Sequence, residues 1–114
     1  MTATLDIIRA KKERKAQLER ALEEILAILK RLGAREVWLF GSLREGNIDV
    51  TSDLDLLAIM PNTRSTREWM ALLALEVTPP IALDLLVFSE EDFQRELPCS
   101  SLLQRIIREG KKLL

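Results

Sequence analysis

The chain has 114 residues and 47% of them are apolar, which suits one compact domain with a real core and argues against disorder. Net charge is −1, from 17 Lys and Arg against 18 Asp and Glu, so no strong charge excess points to a polyanionic partner. Histidine is absent and Cys99 is the single cysteine, which excludes His-based triads, His-ligated zinc, a cysteine zinc site and a disulfide framework within this chain.

The first segment reads as one long helix. Leu18, Leu22, Ile25, Leu29 and Leu32 recur at spacings of four and three, which lines one helical face, and Gly33 stops it. Upstream, Arg9, Lys11, Lys12, Arg14 and Lys15 make a basic run that reads as a solvated face, with a contact surface for RNA or an acidic partner as the alternative. Residues 1–32 hold eight basic against five acidic side chains, a balance of +3; residues 33–114 carry −4. No apolar run approaches the roughly 20 residues of a membrane span. Residues 1–10, with Asp6 and Arg9, do not read as a secretory signal, so the expected compartment is cytoplasmic.

Glu36 to Phe40 is a short β-rich run ending at Gly41-Ser42. A second strand is expected from Asp53 to Met60, stopped by Pro61. It has Leu57 and Ile59 on one face and Leu54, Leu56 and Ala58 on the other, the pattern of a central strand covered on both sides. Ser65 and Glu68 suggest a capping box opening a helix to about Val77. After Pro79-Pro80, Ile81 to Phe88 reads as a third strand holding one charge, Asp84. Ser89 is expected to cap a short turn through Phe93 and Leu97. Ser101 and Gln104 suggest a second capping box, opening a last helix with Leu102, Leu103, Ile106 and Ile107 inward and Gly110 at its end. The fold class expected is α/β (α+β), a small mixed sheet of about three strands flanked by helices. Residues 1–33 form the N-terminal helical segment and residues 35–110 the core.

The chemistry sits in the strands. Asp53 and Asp55 are two apart, so on an extended strand both leave the same face, roughly 6.5–7 Å apart. Carboxylates among Leu, Ile and Val are uncommon unless paired or bound to a cation. Asp84 repeats the oddity, and if the second and third strands are neighbours in register, all three carboxylates converge. Such a cluster suits a hard divalent cation, and two cations about 3.5–4 Å apart are the usual phosphoryl-transfer arrangement. Gly41-Ser42, separated from Asp53 by a ten-residue loop, makes a turn whose backbone N–H groups and serine hydroxyl favour phosphate oxygens, and Arg44 adds a cation nearby. The alternative is an ordinary turn glycine with two solvent-facing aspartates. Trp38 and Trp69 read as core or subunit-contact aromatics, and Cys99, beside Pro98, has no evident activating neighbour.

Trp38-Leu39-Phe40-Gly41-Ser42 followed by Ser52-Asp53-Leu54-Asp55-Leu56-Leu57 resembles the signature of the polymerase-beta-type nucleotidyltransferase superfamily. In so short a chain it is similar to the minimal nucleotidyltransferase branch, as is the ending Ile106-Ile107-Arg108-Glu109-Gly110. The resemblance covers about residues 35 to 110 and implies a palm-like fold. It further implies that Gly41 and Ser42 hold a nucleoside triphosphate, ATP being expected, and that Asp53 and Asp55 bind two Mg²⁺ ions. Asp84 is implied as the third ligand, which also helps to deprotonate the acceptor hydroxyl. Family members often carry an arginine directly before the glycine of the turn after Gly-Ser; here Glu45 precedes Gly46 and Arg44 is the nearest substitute.

With no further domain expected, the acceptor is expected to arrive on another molecule. The minimal branch is commonly paired with a helical HEPN-domain ribonuclease, as its antitoxin, and adenylylates a tyrosine of that toxin. The resemblance therefore implies a protein adenylyltransferase. The alternative is an antitoxin or binding subunit that silences its partner by contact, and transfer to RNA or a small molecule is a third reading. Direct nucleic-acid binding is not expected. The long first helix could also pack against a second copy. Tyrosine is absent, so the chain cannot modify itself on one.

Overall fold

The computed structural model describes residues 2–46, 48, 53–77 and 83–114, with the side chains of residues 2, 3 and 42 outside the description. Helix α1, Thr2–Arg31, spans about 45 Å at the usual rise. It ends in a Schellman turn: Gly33 takes φ +92°, its N–H donates to Lys30 O (3.1 Å), and Ala34 N–H donates to Leu29 O (2.9 Å). Only a residue free of a Cβ takes that φ cheaply, so the glycine stop read from sequence has its physical cause.

Strand β1 is Glu36–Phe40, α2 is the single turn Ser42–Glu45, and β2 is Leu54–Met60. Helix α3, Thr66–Glu76, carries the expected capping box: Glu68 N–H donates to Ser65 Oγ, and Ser65 N–H donates to the Glu68 carboxylate. Strand β3 is Leu83–Ser89, so Ile81 and Ala82 of the expected strand lie outside the described residues. Ser89 caps α4, Glu90–Glu96, through Asp92 N–H. A 3-10 turn, Leu97–Cys99, leads to α5, Ser101–Glu109, and to β4, Lys111–Lys112.

Two expectations need correction. The cap of α5 is Ser100, whose Oγ accepts from Leu103 N–H, and Gln104 bonds instead to the carbonyls of Leu97 and Pro98. Leu103, an apolar residue, holds the position where a box would need Glu or Gln, so Ser101-Gln104 is no capping box. The sheet also has four strands, in the order β3-β2-β1-β4. Two exposed lysines carry no strand signal of their own. They pair because α5 returns the chain to the free edge of β1, where Leu113 N–H also donates to Val37 O (2.7 Å).

Strands β1 and β2 are antiparallel, whereas β2 and β3 are parallel, joined across α3. Alternation along β2 sends its side chains into two separate cores. Leu54, Leu56, Ala58 and Met60 pack with Leu18, Ile25 and Leu29 of α1 and Trp69 and Leu73 of α3. Leu57 and Ile59 pack with Phe93 of α4 and Leu103 and Ile106 of α5. The result is a sheet between helical layers, with a mixed sheet as expected.

Trp69 is buried in the first core, and its Nε1 donates to Pro61 O (2.8 Å). Trp38 packs at the margin of the second core, where its Nε1 is buried without a partner. Both tryptophans are thus packing residues. Cys99 is exposed and free. Among the described residues no helix is long and apolar enough to cross a membrane.

Candidate active site

The sheet register assembles the site. Phe40 of β1 stands opposite Asp55 of β2, and Asp55 stands beside Asp84 of β3, so one row across three strands brings together residues 44 positions apart. Asp55 shares a face with Leu57 and Ile59, the face covered by α4 and α5, but it lies at the start of the strand where that cover ends. It is half-buried, while Asp53, just before β2, and Asp84 are exposed.

The electrostatics follow from this placement. Burial pushes the Asp55 carboxyl above its ordinary value of 3.8, and the neighbouring charges of Asp84 and then Asp53 push it further. Asp55 is thus the carboxylate on which the charges of the other two act. Asp53 also has a cation near it: Arg14 Nη2 of α1 lies 3.9 Å from Asp53 Oδ1. The basic run on α1 thus supplies one contact to the site.

Gly41 follows the last residue of β1 and takes φ +75°. A Cβ added there would fall 2.9 Å from Asp55 Cγ and overlap its Oδ2. The glycine is required twice, for its backbone conformation and because the carboxylate occupies the space of a side chain. Glu45 N–H donates to Gly41 O (3.0 Å), which closes α2 as a single turn, and Gly46 (φ +80°) ends it. Arg44 and Glu45 are exposed on this turn. The hydroxyl of Ser42 lies outside the described side chains, and Ser52 outside the described residues.

The carboxylates are neighbours without closing around a common point: among the described residues no group of three or more His, Cys, Asp or Glu is arranged to hold a metal ion. The donor set nonetheless fits a hard divalent cation. It consists of oxygen ligands alone, and Asp55 is held near two like charges at an electrostatic cost that a cation would relieve.

The sequence profile of the nucleotidyltransferase domain family matches residues 22–114. The chain belongs to that family. The match spans both the Gly41 turn and all three aspartates, so nucleotidyl transfer is the family-level activity, with a nucleoside triphosphate and a divalent metal as its general requirements. A crystal structure from Sulfolobus solfataricus, of a protein described as a candidate nucleotidyltransferase, is similar in fold. It shares 21% identity over 78% of each chain, with a TM-score of 0.50. No curated protein sequence matches the chain.

One feature beside the Gly41 turn has no counterpart in the sequence motifs. A pocket lies between α2, the end of β1 and α5, next to Gly41 and Arg44. Four residues of α5 line it, Leu102, Arg105, Ile106 and Glu109, spaced i, i+3, i+4 and i+7 on one helical face. The apolar members alone stood out as core. The two charged residues share their face, and Arg105 Nε donates to Glu109 Oε2 (3.0 Å).

Proposed function

We propose that this nucleotidyltransferase domain transfers AMP from ATP to a hydroxyl on a partner protein, as the antitoxin of a helical HEPN-type ribonuclease. The observation that carries the transfer chemistry is the Asp55–Asp84 pair, aligned across parallel strands, with Asp55 against the Gly41 turn. In this reading Gly41, Ser42 and Arg44 receive the triphosphate, and Asp53, Asp55 and Asp84 are the metal ligands. A divalent cation bound there supplies charge neutralisation on the triphosphate and acidifies the acceptor hydroxyl. Asp84, the most open of the strand-borne pair, takes the acceptor proton. The acceptor oxygen forms a bond to the α-phosphorus, the bond from that phosphorus to the bridging oxygen breaks, and pyrophosphate leaves.

A protein acceptor is supported by apolar side chains left exposed on three helices. Leu5, Ile7 and Ile8 lie on the outer part of α1, Met70 and Leu75 on α3, and Leu102 on α5. The branch-level resemblance of the motifs supports the toxin as that acceptor. The experiment is incubation of the protein with labelled ATP, Mg²⁺ and the protein encoded beside it. The expected result is a mass gain of one AMP on that partner. A partner silenced with no mass gain would favour the second reading, an antitoxin acting by contact alone. The observation on its side is Arg14, which stands close to Asp53 where a cation would bind.

A further inference from the structure

The pocket beside the Gly41 turn has a volume of about 250 Å³. We propose that it receives the nucleobase and sugar of the nucleotide whose phosphates lie at that turn; the assignment rests on the nucleotidyltransferase reading above.

Position supports it first. Gly41 has the Asp55 carboxylate against its Cβ position and also lines the pocket, as does Arg44. A nucleotide with its phosphates at this turn therefore has the pocket within reach. Size supports it next. Sites for drug-sized ligands run from roughly 300 to 1,000 Å³. This smaller space suits one base and sugar and is too small for a folded acceptor.

Chemistry narrows the occupant. Phe40, Leu102 and Ile106 offer apolar surface for the face of a ring. At the rim Arg105 and Glu109 are ion-paired, which holds a donor group and an acceptor group side by side, as the polar edge of a base requires. With Arg44 turned to the phosphates, the α5 wall is left with Arg105 offset by Glu109 and carries no net charge. A neutral heteroaromatic ring matches that balance. Gly110 sets the width: a Cβ there would lie 3.0 Å from Leu39 O, so its absence lets the end of α5 close onto β1.

The test compares ATP with inorganic tripolyphosphate, each titrated calorimetrically in Mg²⁺ against the full chain. The wild type is expected to hold ATP about ten-fold more tightly than tripolyphosphate, the margin a stacked base supplies. Leu102→Asn and the double variant Arg105→Ala/Glu109→Ala alter exposed side chains without changing net charge. Each should erase most of that margin while leaving tripolyphosphate binding within about two-fold. Equal affinity for the two ligands in the wild type, or variants that weaken both alike or neither, would overturn the pocket assignment and leave the nucleotidyltransferase reading standing. A wild-type protein that binds neither ligand would overturn both.

Discussion

The two faces of the sheet are built from the same strands but treated differently. On one, α1 and α3 cover β2 along its whole length, and Leu54, Leu56 and Met60 are completely buried. On the other, α4 and α5 cover Leu57 and Ile59 and stop short of Asp55. Alternation puts residues on a face; the extent of helical cover decides whether that face becomes core or site. The three aspartates of the candidate site thus lie where packing ends, Asp55 being two residues from the fully buried Leu57.

That contrast can be broken at either face. The largest effect is expected at the open end: Asp55→Ala should lower nucleotide transfer by at least the roughly 100–1,000-fold that loss of one transition-state-stabilising group costs, with the circular dichroism spectrum unchanged. Transfer at the wild-type rate by the purified variant would remove Asp55 from the site. At the covered face the effect should fall on stability. Leu56→Ala, at a fully buried position, should cost about 2–5 kcal/mol in urea unfolding, and Leu86→Ala, half-buried on the other face, distinctly less.

Gly41→Ala joins the two regions. Its positive φ costs a side chain about 1–2 kcal/mol, and the overlap with Asp55 must displace that carboxylate. Stability and transfer should therefore fall together, in contrast to Asp55→Ala. A variant with wild-type activity would show that the turn does not position the carboxylate.

The smallest effect concerns pH. The Asp55 carboxyl binds its proton more tightly in the native chain than its ordinary value of 3.8 allows, because of burial and then Asp84 and Asp53. The native state thus holds more protons than the unfolded one between 3.8 and the raised value. This contribution is therefore most favourable below 3.8 and is lost as pH rises through the raised value. Asp55→Asn should flatten that decline and raise Tm at neutral pH by a few degrees. Mg²⁺ should raise Tm in the wild type and not in Asp55→Asn; equal shifts in both would place the bound cation elsewhere.

Much of this was legible in the chain itself, because it depends on local patterns. The glycine stop after α1, the capping box at Ser65 and the two-faced apolar pattern of β2 each need only a few neighbouring residues to specify. The cap of α5 was placed one residue late because Ser100 and Ser101 are chemically alike, and only the helix start distinguishes them. The sequence by itself determined which residues alternate, where α1 ends and α3 begins, and that Gly41, Asp53, Asp55 and Asp84 stand out from their surroundings. Tertiary structure decided what those residues meet. The parallel register sets Asp84 beside Asp55, the return of α5 pairs two lysines with β1, and the long first helix carries Arg14 to Asp53. The pocket that shares Gly41 with the carboxylate site depends on the same return of α5. The physical reason is separation along the chain: period and capping are written in adjacent residues, whereas register and cover are set by contacts between segments tens of residues apart.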